Sequence, residues 1–361
     1  MVRLLSALCF LAASVCALDF KLYGLNYNAR QGADWDPKRC KSQDQVDTDM
    51  VRVAAVSPRV RIYSLSDCNQ GELVLNSAKK AGLKVWLGMW VTKDPASLQA
   101  EQNALQQLIT KGLIDSNVIG LHVGSENLYR KDLTPDQAIA YFKQVKTFLQ
   151  TNNIKLNVTI ADIVDSFVQY PQVLDVVDVI QANEFPFWEP AAIDTAMVNF
   201  RLKLDNLTAI AKGKEIQISE TGWASGGRNA NASVASPENQ AKYLVDLVNF
   251  ANTHNLKYYY FAAFDDSWKT VQEKDPNTVE ATFGIYDSQG IMKAQFSSLS
   301  LTPSAVDPDK TNVTSAPPVI QNTSTTGTTS APSTTSATGA SVVSTVGAAV
   351  VGFATIASLH L

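Results

Sequence analysis

The stretch Val118-Ile-Gly-Leu-His-Val-Gly-Ser-Glu-Asn127 is a short apolar run that ends in a carboxylate. A second stretch, Glu215-Ile-Gln-Ile-Ser-Glu-Thr-Gly-Trp223, repeats this arrangement later in the chain. Runs of this length and composition are typical of buried strands. In a chain of alternating strands and helices, a carboxylate at the carboxyl end of a strand lies where barrel enzymes keep their active-site residues. The two stretches therefore predict an acid and a nucleophile, Glu126 and Glu220.

Working outward from these stretches, apolar runs of strand length alternate with longer helical patterns through residues 18–300. The predicted strands are residues 22–26, 60–63, 84–89, 118–123, 155–161, 176–182, 215–219 and 257–264. Helical patterns between them include residues 71–81, 96–111, 136–151 and 237–254. Thr134, Pro135 and Gln137 form a helix-start signal, with Thr134 as the cap. Eight such units predict an α/β fold, a (β/α)8 TIM barrel in one catalytic domain, with an open doubly wound sheet as the alternative.

Both ends of the chain differ in composition from this central part. Residues 1–17 combine Arg3, an apolar stretch and small residues up to Ala17, which predicts a cleaved signal peptide. Residues 301–341 are rich in Ser, Thr and Pro and predict an extended linker. Residues 342–361 are apolar or small and contain no Lys or Arg, which favours a GPI-attachment signal over a membrane-spanning anchor. We therefore expect a secreted protein, GPI-anchored at the plasma membrane or cell wall.

Cysteines and glycosylation sequons agree with secretion. Of four cysteines, Cys9 and Cys16 lie in the predicted signal peptide, so Cys40 and Cys68 are expected to form one disulfide. Both follow early predicted strands, where neighbouring loops can bring them within bonding distance. The sequon at Asn157 falls inside a predicted strand and is not expected to be used. The sequons expected to carry glycans are Asn206, Asn231, Asn312 and Asn322.

Charge and motif content exclude several function classes. The 30 basic and 34 acidic side chains give a mildly acidic chain, and no basic stripe indicates nucleic-acid binding. The three histidines have no metal-ligand spacing. The sequence also contains no phosphate-binding loop, dinucleotide fingerprint or Gly-x-Ser-x-Gly elbow. We therefore expect a monomer that uses no metal or cofactor and binds an uncharged ligand.

Motifs along the predicted strands share the pattern of one enzyme family. The two main ones are Val123-Gly-Ser-Glu-Asn-Leu-Tyr-Arg130 and Ile218-Ser-Glu-Thr-Gly-Trp223. Further ones are Tyr23-Gly-Leu-Asn-Tyr27, Val60-Arg-Ile-Tyr63, Ala182-Asn-Glu-Phe-Pro-Phe-Trp188 and Phe261-Ala-Ala-Phe-Asp-Asp-Ser-Trp-Lys269. Together they resemble glycoside hydrolase family 17, the β-1,3-glucanases and glucan transglycosylases of plants, fungi and oomycetes. The resemblance implies a retaining endo-acting enzyme on β-1,3-glucan, with Glu126 as general acid and base and Glu220 as nucleophile.

The resemblance also implies roles for residues around these carboxylates. Arg61 is similar to the family's arginine near the nucleophile, where its charge would favour the ionised carboxylate. Ser125 and Phe187 depart from residues common in relatives, Asn and Tyr, and Phe187 has no hydroxyl for the nucleophile. Tryptophans near strand ends suit the apolar faces of glucose rings, whereas Trp86 is expected inside the barrel. The predicted substrate-binding residues are Asn26, Tyr27, Arg61, Tyr63, Trp90, Asn183, Trp188, Trp223, Asp266, Trp268 and Lys269.

The sequence leaves the second step of this chemistry open. If water attacks the glycosyl-enzyme, the protein is a glucan endo-1,3-β-glucosidase. If another glucan chain attacks it, the protein is a β-1,3-glucanosyltransferase that remodels the cell wall. A further alternative is a non-catalytic wall protein that binds glucan or mediates adhesion, which the presence of both carboxylates disfavours.

Overall fold

The computed structural model describes residues 18–310, and they fold around a closed barrel of eight parallel strands in chain order. Each strand pairs with the next, and β8 pairs with β1 to close the sheet. The strands are β1 (Gly24–Asn26), β2 (Arg59–Arg61), β3 (Lys84–Met89), β4 (Val118–Ser125), β5 (Val158–Ile163), β6 (Ile180–Asn183), β7 (Ile216–Thr221) and β8 (Lys257–Tyr260). The predicted TIM barrel is confirmed, and closure of the sheet excludes the doubly wound alternative.

Helices surround the barrel and connect successive strands. They are α1 (Gln43–Val56), α2 (Gln70–Ala81), α3 (Pro95–Thr110), α4 (Pro135–Thr151), α5 (Val164–Gln169), α6 (Gln172–Val176), α7 (Ala196–Ile210), α8 (Pro237–His254) and α9 (Lys269–Gln272). The predicted start of α4 is confirmed, because Thr134 and Gln137 form a reciprocal capping box. Ser42 and Gln45 begin α1 in the same way. Local sequence signals therefore determine where these helices start.

The sixth and eighth strands differ most from the sequence prediction. Of the predicted residues 176–182, only Val176 belongs to α6, residues 177–179 connect the two elements, and β6 begins at Ile180. β8 ends at Tyr260 rather than residue 264. The next residues still bond to the neighbouring strands, as Phe261 N donates to Thr221 O (2.7 Å) and Ala263 N donates to Asn26 O (2.9 Å). Between them, Ala262 bonds to a later loop, where its N–H donates to Phe283 O (3.1 Å).

The loops at the carboxyl end of the barrel are fixed by covalent and packing contacts. Cys40 and Cys68 form the predicted disulfide, with their Cα atoms 5.1 Å apart, and link the loops that follow β1 and β2. Inside the barrel, Trp86 packs with Val179 and Tyr259 in a cluster of its own, as predicted for Trp86. The loops that carry the candidate site are therefore attached to a barrel with a packed interior.

Residues beyond the predicted domain boundary still contact the barrel. Asn249 on α8 donates to Thr302 O (2.7 Å), and Arg201 on α7 donates to Pro308 O (2.8 Å). His254 Nε2 lies 3.2 Å from a carboxylate oxygen of Asp309. Residues 302–309 therefore still contact the barrel helices, because backbone carbonyls of a Pro- and Ser-rich segment can accept hydrogen bonds from helix side chains.

Residues 18–310 include only some of the positions for which a membrane anchor or a glycan was predicted. Among residues 18–310, no helix is long and apolar enough to cross a membrane. Asn206 and Asn231 are exposed. Asn157 is also exposed and precedes β5, so its predicted position inside a strand is wrong. The predicted signal peptide (1–17), the GPI signal (342–361), linker residues 311–341, Asn312 and Asn322 lie outside the described residues.

Candidate active site

The two predicted catalytic carboxylates line one cleft at the carboxyl end of the barrel. Glu126 directly follows β4, and Glu220 lies near the end of β7. Their exposed fractions are only 5% and 1%. The cleft encloses about 170 Å³, several times the roughly 30 Å³ that one water occupies in the liquid. Aromatic side chains provide much of its wall, namely Tyr129, Phe185, Trp188, Phe261 and Phe283.

The backbone turns sharply where Glu126 enters this cleft. Glu126 has a φ of 57°, a left-handed conformation that is unfavourable for a residue with a side chain. Gly124, with a φ of 83°, allows the turn, because a Cβ there would lie 2.0 Å from Asn127 Oδ1. Asp162 accepts a hydrogen bond from Leu128 N (2.8 Å), and burial raises the pKa of Asp162 to about 6. The surrounding contacts therefore hold Glu126 in a strained position facing the cleft.

Glu220 is paired with a buried permanent cation. Arg61 Nη1 lies 3.0 Å from Glu220 Oε1, and both side chains are inaccessible to solvent. Asn26 Oδ1 accepts a second hydrogen bond from Arg61 Nη1 at 3.0 Å. Ser125 Oγ donates to Glu220 Oε1 at 3.2 Å, so this residue supplies the hydroxyl that Phe187 cannot. The guanidinium of Arg61 thus places a fixed positive charge directly beside the carboxylate that is expected to act as the nucleophile.

His122 holds Arg61 from the barrel interior. Arg61 Nη2 lies 3.4 Å from His122 Nε2. Burial, together with the charge of Arg61, lowers the pKa of His122 well below its usual range, so the imidazole is neutral and its Nε2 accepts from the guanidinium. The ring fits because Gly88 faces it, where a Cβ would lie 2.4 Å from the His122 Cε1 atom. His122 therefore orients the cation that pairs with Glu220.

Glu126 has a different environment, which favours its protonated form. Burial raises the pKa of Glu126 to about 7, and the nearby charge of Glu220 acts in the same direction. Asn183 Nδ2 donates to Glu126 Oε1 (2.8 Å), and Arg130 Nη1 lies 3.6 Å from Glu126 Oε2, so both oppose this rise. Ser219 Oγ donates to Asn183 Oδ1 (2.6 Å) and orients the amide. Glu126 can therefore carry a proton near neutral pH, as a general acid must.

Several of the predicted substrate-binding residues lie in or beside the cleft. Asn183 and Trp188 line it. The Tyr63 ring lies 5.3 Å from the Arg61 guanidinium, and its buried hydroxyl has no hydrogen-bond partner within residues 18–310. Trp90 is half-buried under the guanidinium of Arg130, which lies 4.8 Å from its ring. These side chains remain candidates for contact with a substrate.

Asp266, Trp268 and Lys269 form a separate group in the segment after β8. Trp268 Nε1 donates to Asp266 Oδ1 at 3.0 Å. Lys269 Nζ donates to Glu280 Oε2 at 3.1 Å and lies 5.5 Å from the ring of Phe261. Glu280 and Phe261 line the cleft, whereas this group lies behind them. The structure thus brings the three residues together beside the cleft without placing them in its wall.

Asn26, Tyr27 and Trp223 are not part of the cleft wall and bond to other parts of the protein, so their contact with substrate stays a prediction. The Asn26 amide donates to Ser219 O (3.0 Å) and Tyr259 O (3.1 Å) and is fully buried. The Tyr27 hydroxyl donates to Asp49 on α1 at 2.9 Å, because successive strand residues point to opposite faces. Trp223 has no exposed surface. Its indole N–H donates to the carbonyl of Val234 (3.0 Å).

Other residues of the cleft were missed by the sequence reasoning. Glu184 lies inside the motif that contains Asn183, and its position directly after a strand was the signal that could have identified it. Lys203 comes from α7 and Glu280 from the loop after β8, where no local pattern indicated a site. Only the closed barrel brings such distant segments to one cleft.

Comparison with known proteins assigns this barrel to a family. The model of the BtgE/BtgC glycoside hydrolase domain matches residues 24–284. A solved glycoside hydrolase family 17 β-1,3-glucanosyltransferase from Rhizomucor miehei is 35% identical, with a TM-score of 0.67. The match covers 76% of this chain and 96% of the Rhizomucor chain. The chain belongs to glycoside hydrolase family 17. The family predicted from the strand motifs is therefore confirmed.

Curated relatives within family 17 carry related names. The probable glucan endo-1,3-beta-glucosidase btgC of Aspergillus fumigatus is 32% identical over 273 residues, which are 70% of this chain and 39% of that relative. This family 17 chain therefore spans about two fifths of the length of that relative. The glucan 1,3-beta-glucosidase of Saccharomyces cerevisiae is 27% identical, and the match covers 80% of this chain and 94% of the yeast protein.

Replacing Arg61 with methionine is expected to destabilise this family 17 barrel by about 3–5 kcal/mol, because Glu220 would become a buried charge without its partner. Urea unfolding followed by circular dichroism measures the change in the free energy of unfolding. The double variant Arg61→Met/Glu220→Leu should recover much of the loss, since it removes both charges. Arg228→Met, at an exposed position, is the control. A loss at Arg61 no larger than at Arg228 would contradict this role.

Proposed function

We propose that this protein is a retaining enzyme that cleaves internal β-1,3-glucosidic bonds of cell-wall glucan. The observation that carries the proposal is that two glutamates with different electrostatic surroundings line one cleft. Glu126 has a pKa of about 7, and Glu220 is paired with Arg61. Retaining glycosidases need such a protonated acid beside an ionised nucleophile. Membership of family 17 and the names of the relatives support β-1,3-glucan as the substrate.

The proposed mechanism has two steps. In the first step, a Glu220 oxygen attacks the anomeric carbon while Glu126 transfers its proton to the departing glucosyl oxygen, which breaks the glucosidic bond. The products are a covalent glycosyl-enzyme and an ionised Glu126, which Asn183 and Arg130 stabilise. In the second step, Glu126 removes a proton from an acceptor hydroxyl, whose oxygen replaces Glu220 at the anomeric carbon. Both glutamates then return to their starting states.

The acceptor decides between hydrolysis and transfer. With water the protein is an endo-1,3-β-glucosidase, as the name of the Aspergillus fumigatus relative supports. Transfer to a second glucan is the other candidate. It is supported by the 35% identity to the Rhizomucor glucanosyltransferase, of which the match covers 96%. The aromatic side chains that line the cleft also suit a bound sugar acceptor better than free water.

The test uses the purified protein with laminari-oligosaccharides of defined length that have been reduced at one end. Products resolved by size distinguish the candidates, because hydrolysis yields only shorter chains and transfer also yields chains longer than the donor. Retention is checked by following the anomer formed first with proton NMR. Binding of the oligosaccharides without any turnover would contradict the enzyme and favour a non-catalytic glucan-binding protein.

The activity is expected to fall as the pH rises through about 7. The first step requires Glu126 to be protonated, and the pKa of its carboxyl is about 7, so its acid form is lost on the alkaline side. The pH profile of kcat/KM on laminari-oligosaccharides measures this alkaline limb. Asn183→Ala should move the limb to higher pH, because Asn183 stabilises the ionised form of Glu126. An alkaline limb at the same pH in Asn183→Ala as in the unmodified protein would contradict the role of Glu126 as the general acid.

We propose that the mature protein acts as a monomer, secreted and GPI-anchored at the plasma membrane or cell wall. The compositions of residues 1–17 and 342–361 support this localisation. Phosphatidylinositol-specific phospholipase should release the protein from isolated membranes. Retention on the membrane after treatment, together with secretion of a truncation before Val342, would favour a spanning anchor.

A further inference from the structure

Glu184 has a buried carboxyl on the wall of the cleft that no step of the proposed mechanism uses. It directly follows β6 and lines the cleft together with Glu126 and Glu220. Its exposed fraction is 6%, and its backbone N–H donates to Glu220 O at 2.9 Å. Within residues 18–310 no group donates a hydrogen bond to its carboxyl, and no cation lies within ion-pair distance of it. Glu184 is therefore more than nine-tenths buried and has no protein partner.

The charged neighbours of Glu184 are already paired with one another. Lys203 Nζ donates to both carboxylate oxygens of Asp165 (2.8 and 2.7 Å). It also lies 2.8 Å from Glu189 Oε1. Burial raises the pKa of Glu184 well above its usual range, and Glu189 and Asp165 add to this rise, whereas Lys203 opposes it. The pKa shift of Glu184 thus favours its protonated carboxyl, which offers one O–H donor and acceptor sites to a ligand in the cleft.

The carboxyl of Glu184 lines the open cleft, so a ligand bound there can supply the hydrogen bonds that the protein does not. The surrounding wall contains the aromatic rings of Phe185 and Trp188. Aromatic faces next to a few hydrogen-bonding groups are typical of sites that bind neutral polar ligands such as sugars. The proximity of Glu126 and Glu220 in the same cleft places such a sugar beside the reacting bond.

We propose that Glu184 is a specificity-determining residue that binds a hydroxyl group of a glucose unit held in the cleft. This inference rests on the proposed function and names one further contact in the same site. The acid donates its O–H to a sugar oxygen and accepts the hydrogen of a neighbouring hydroxyl. A site built in this way discriminates against ligands that lack the hydroxyl, because the acid would then stay unpaired.

The test measures binding of laminaritetraose by isothermal titration calorimetry in a Glu126→Gln background, where turnover does not interfere. Adding Glu184→Met should weaken binding by about tenfold, because methionine has a similar volume and cannot donate a hydrogen bond. Adding Glu184→Gln should restore most of the affinity, since the amide offers both a donor and an acceptor. Glu238→Gln, at an exposed position on α8, is the matched control.

Thermal unfolding of the same variants separates this role from a structural one. Removing an unpaired buried acid should leave the Tm of Glu184→Met unchanged or raise it by roughly 2 °C or more. Unchanged affinity in Glu184→Met would overturn the proposal. A lowered Tm together with weak binding in Glu184→Gln would also overturn it, in favour of a structural role. Turnover by the unmodified protein tests the proposed function separately, so the two failures are distinguishable.

Discussion

Replacing Glu220 with alanine is expected to lower kcat on β-1,3-glucan by a factor on the order of 10⁴ or more, because no other group can form the glycosyl-enzyme. The side chain lies in the cleft with its charge balanced by Arg61. Its removal leaves space for a small anion next to that cation. Azide should therefore restore turnover of an activated aryl β-laminaribioside. It attacks from the side on which Glu220 stood, so the product should be the α-glycosyl azide.

Controls separate loss of the nucleophile from loss of the fold. Glu220→Ala leaves Arg61 without its partner, so its folded state must be checked by circular dichroism and by binding of laminaritetraose. Glu220→Gln preserves the size of the side chain and should be equally inactive without azide. A folded Glu220→Ala variant that keeps more than about a tenth of the activity would exclude Glu220 as the nucleophile.

Replacing Glu126 with alanine is expected to slow cleavage of natural glucan by about 10²–10⁴-fold, the usual contribution of a general acid. The loss should be much smaller for substrates whose leaving group needs no proton, such as dinitrophenyl β-laminaribioside. With these substrates the glycosyl-enzyme still forms on Glu220 but is released slowly, because no base activates the acceptor. Azide should then speed release and give the β-glycosyl azide.

The stereochemistry of the azide product distinguishes the two glutamates. Opposite anomers from the two alanine variants would support one nucleophile and one acid and base. Asn183→Ala is the matched control for Glu126, since Asn183 contacts the same carboxyl without transferring a proton. Its loss of activity should be similar on both classes of substrate, without any rescue by azide. An α-glycosyl azide from Glu126→Ala would reverse the assignment.

The barrel and the position of both carboxylates could be predicted because they depend on local pattern. β3 and β4 are apolar runs with turn residues at their ends, and β4 carries Glu126 directly after its last residue. Strand alternation also predicts that neighbouring residues point to opposite faces of the sheet. Since Asn26 points into the barrel, Tyr27 had to point outward to Asp49.

Other features depend on contacts between distant segments, so the sequence could not predict them. Trp223 is buried because the loop containing Val234 accepts from its indole and Tyr243 packs against it, with ring centroids 5.5 Å apart. The raised pKa of Glu184 depends on burial and on the acids around it. The protonation of Glu126 likewise depends on burial and on the charge of Glu220. Such electrostatic effects follow from three-dimensional proximity, which residue spacing alone does not contain.

In the proposed mechanism, Glu220 forms a covalent bond to a β-1,3-linked glucosyl unit. The most direct measurement treats the protein with 2-deoxy-2-fluoro-β-laminaribiosyl fluoride, whose fluorine at carbon 2 slows both steps while the fluoride leaving group permits the first. Mass spectrometry of the digested protein then locates the adduct. We expect one fluorolaminaribiosyl group on the peptide that contains Glu220, and none in Glu220→Gln. An adduct on another residue, or rapid turnover of laminari-oligosaccharides with an inverted first product, would contradict it.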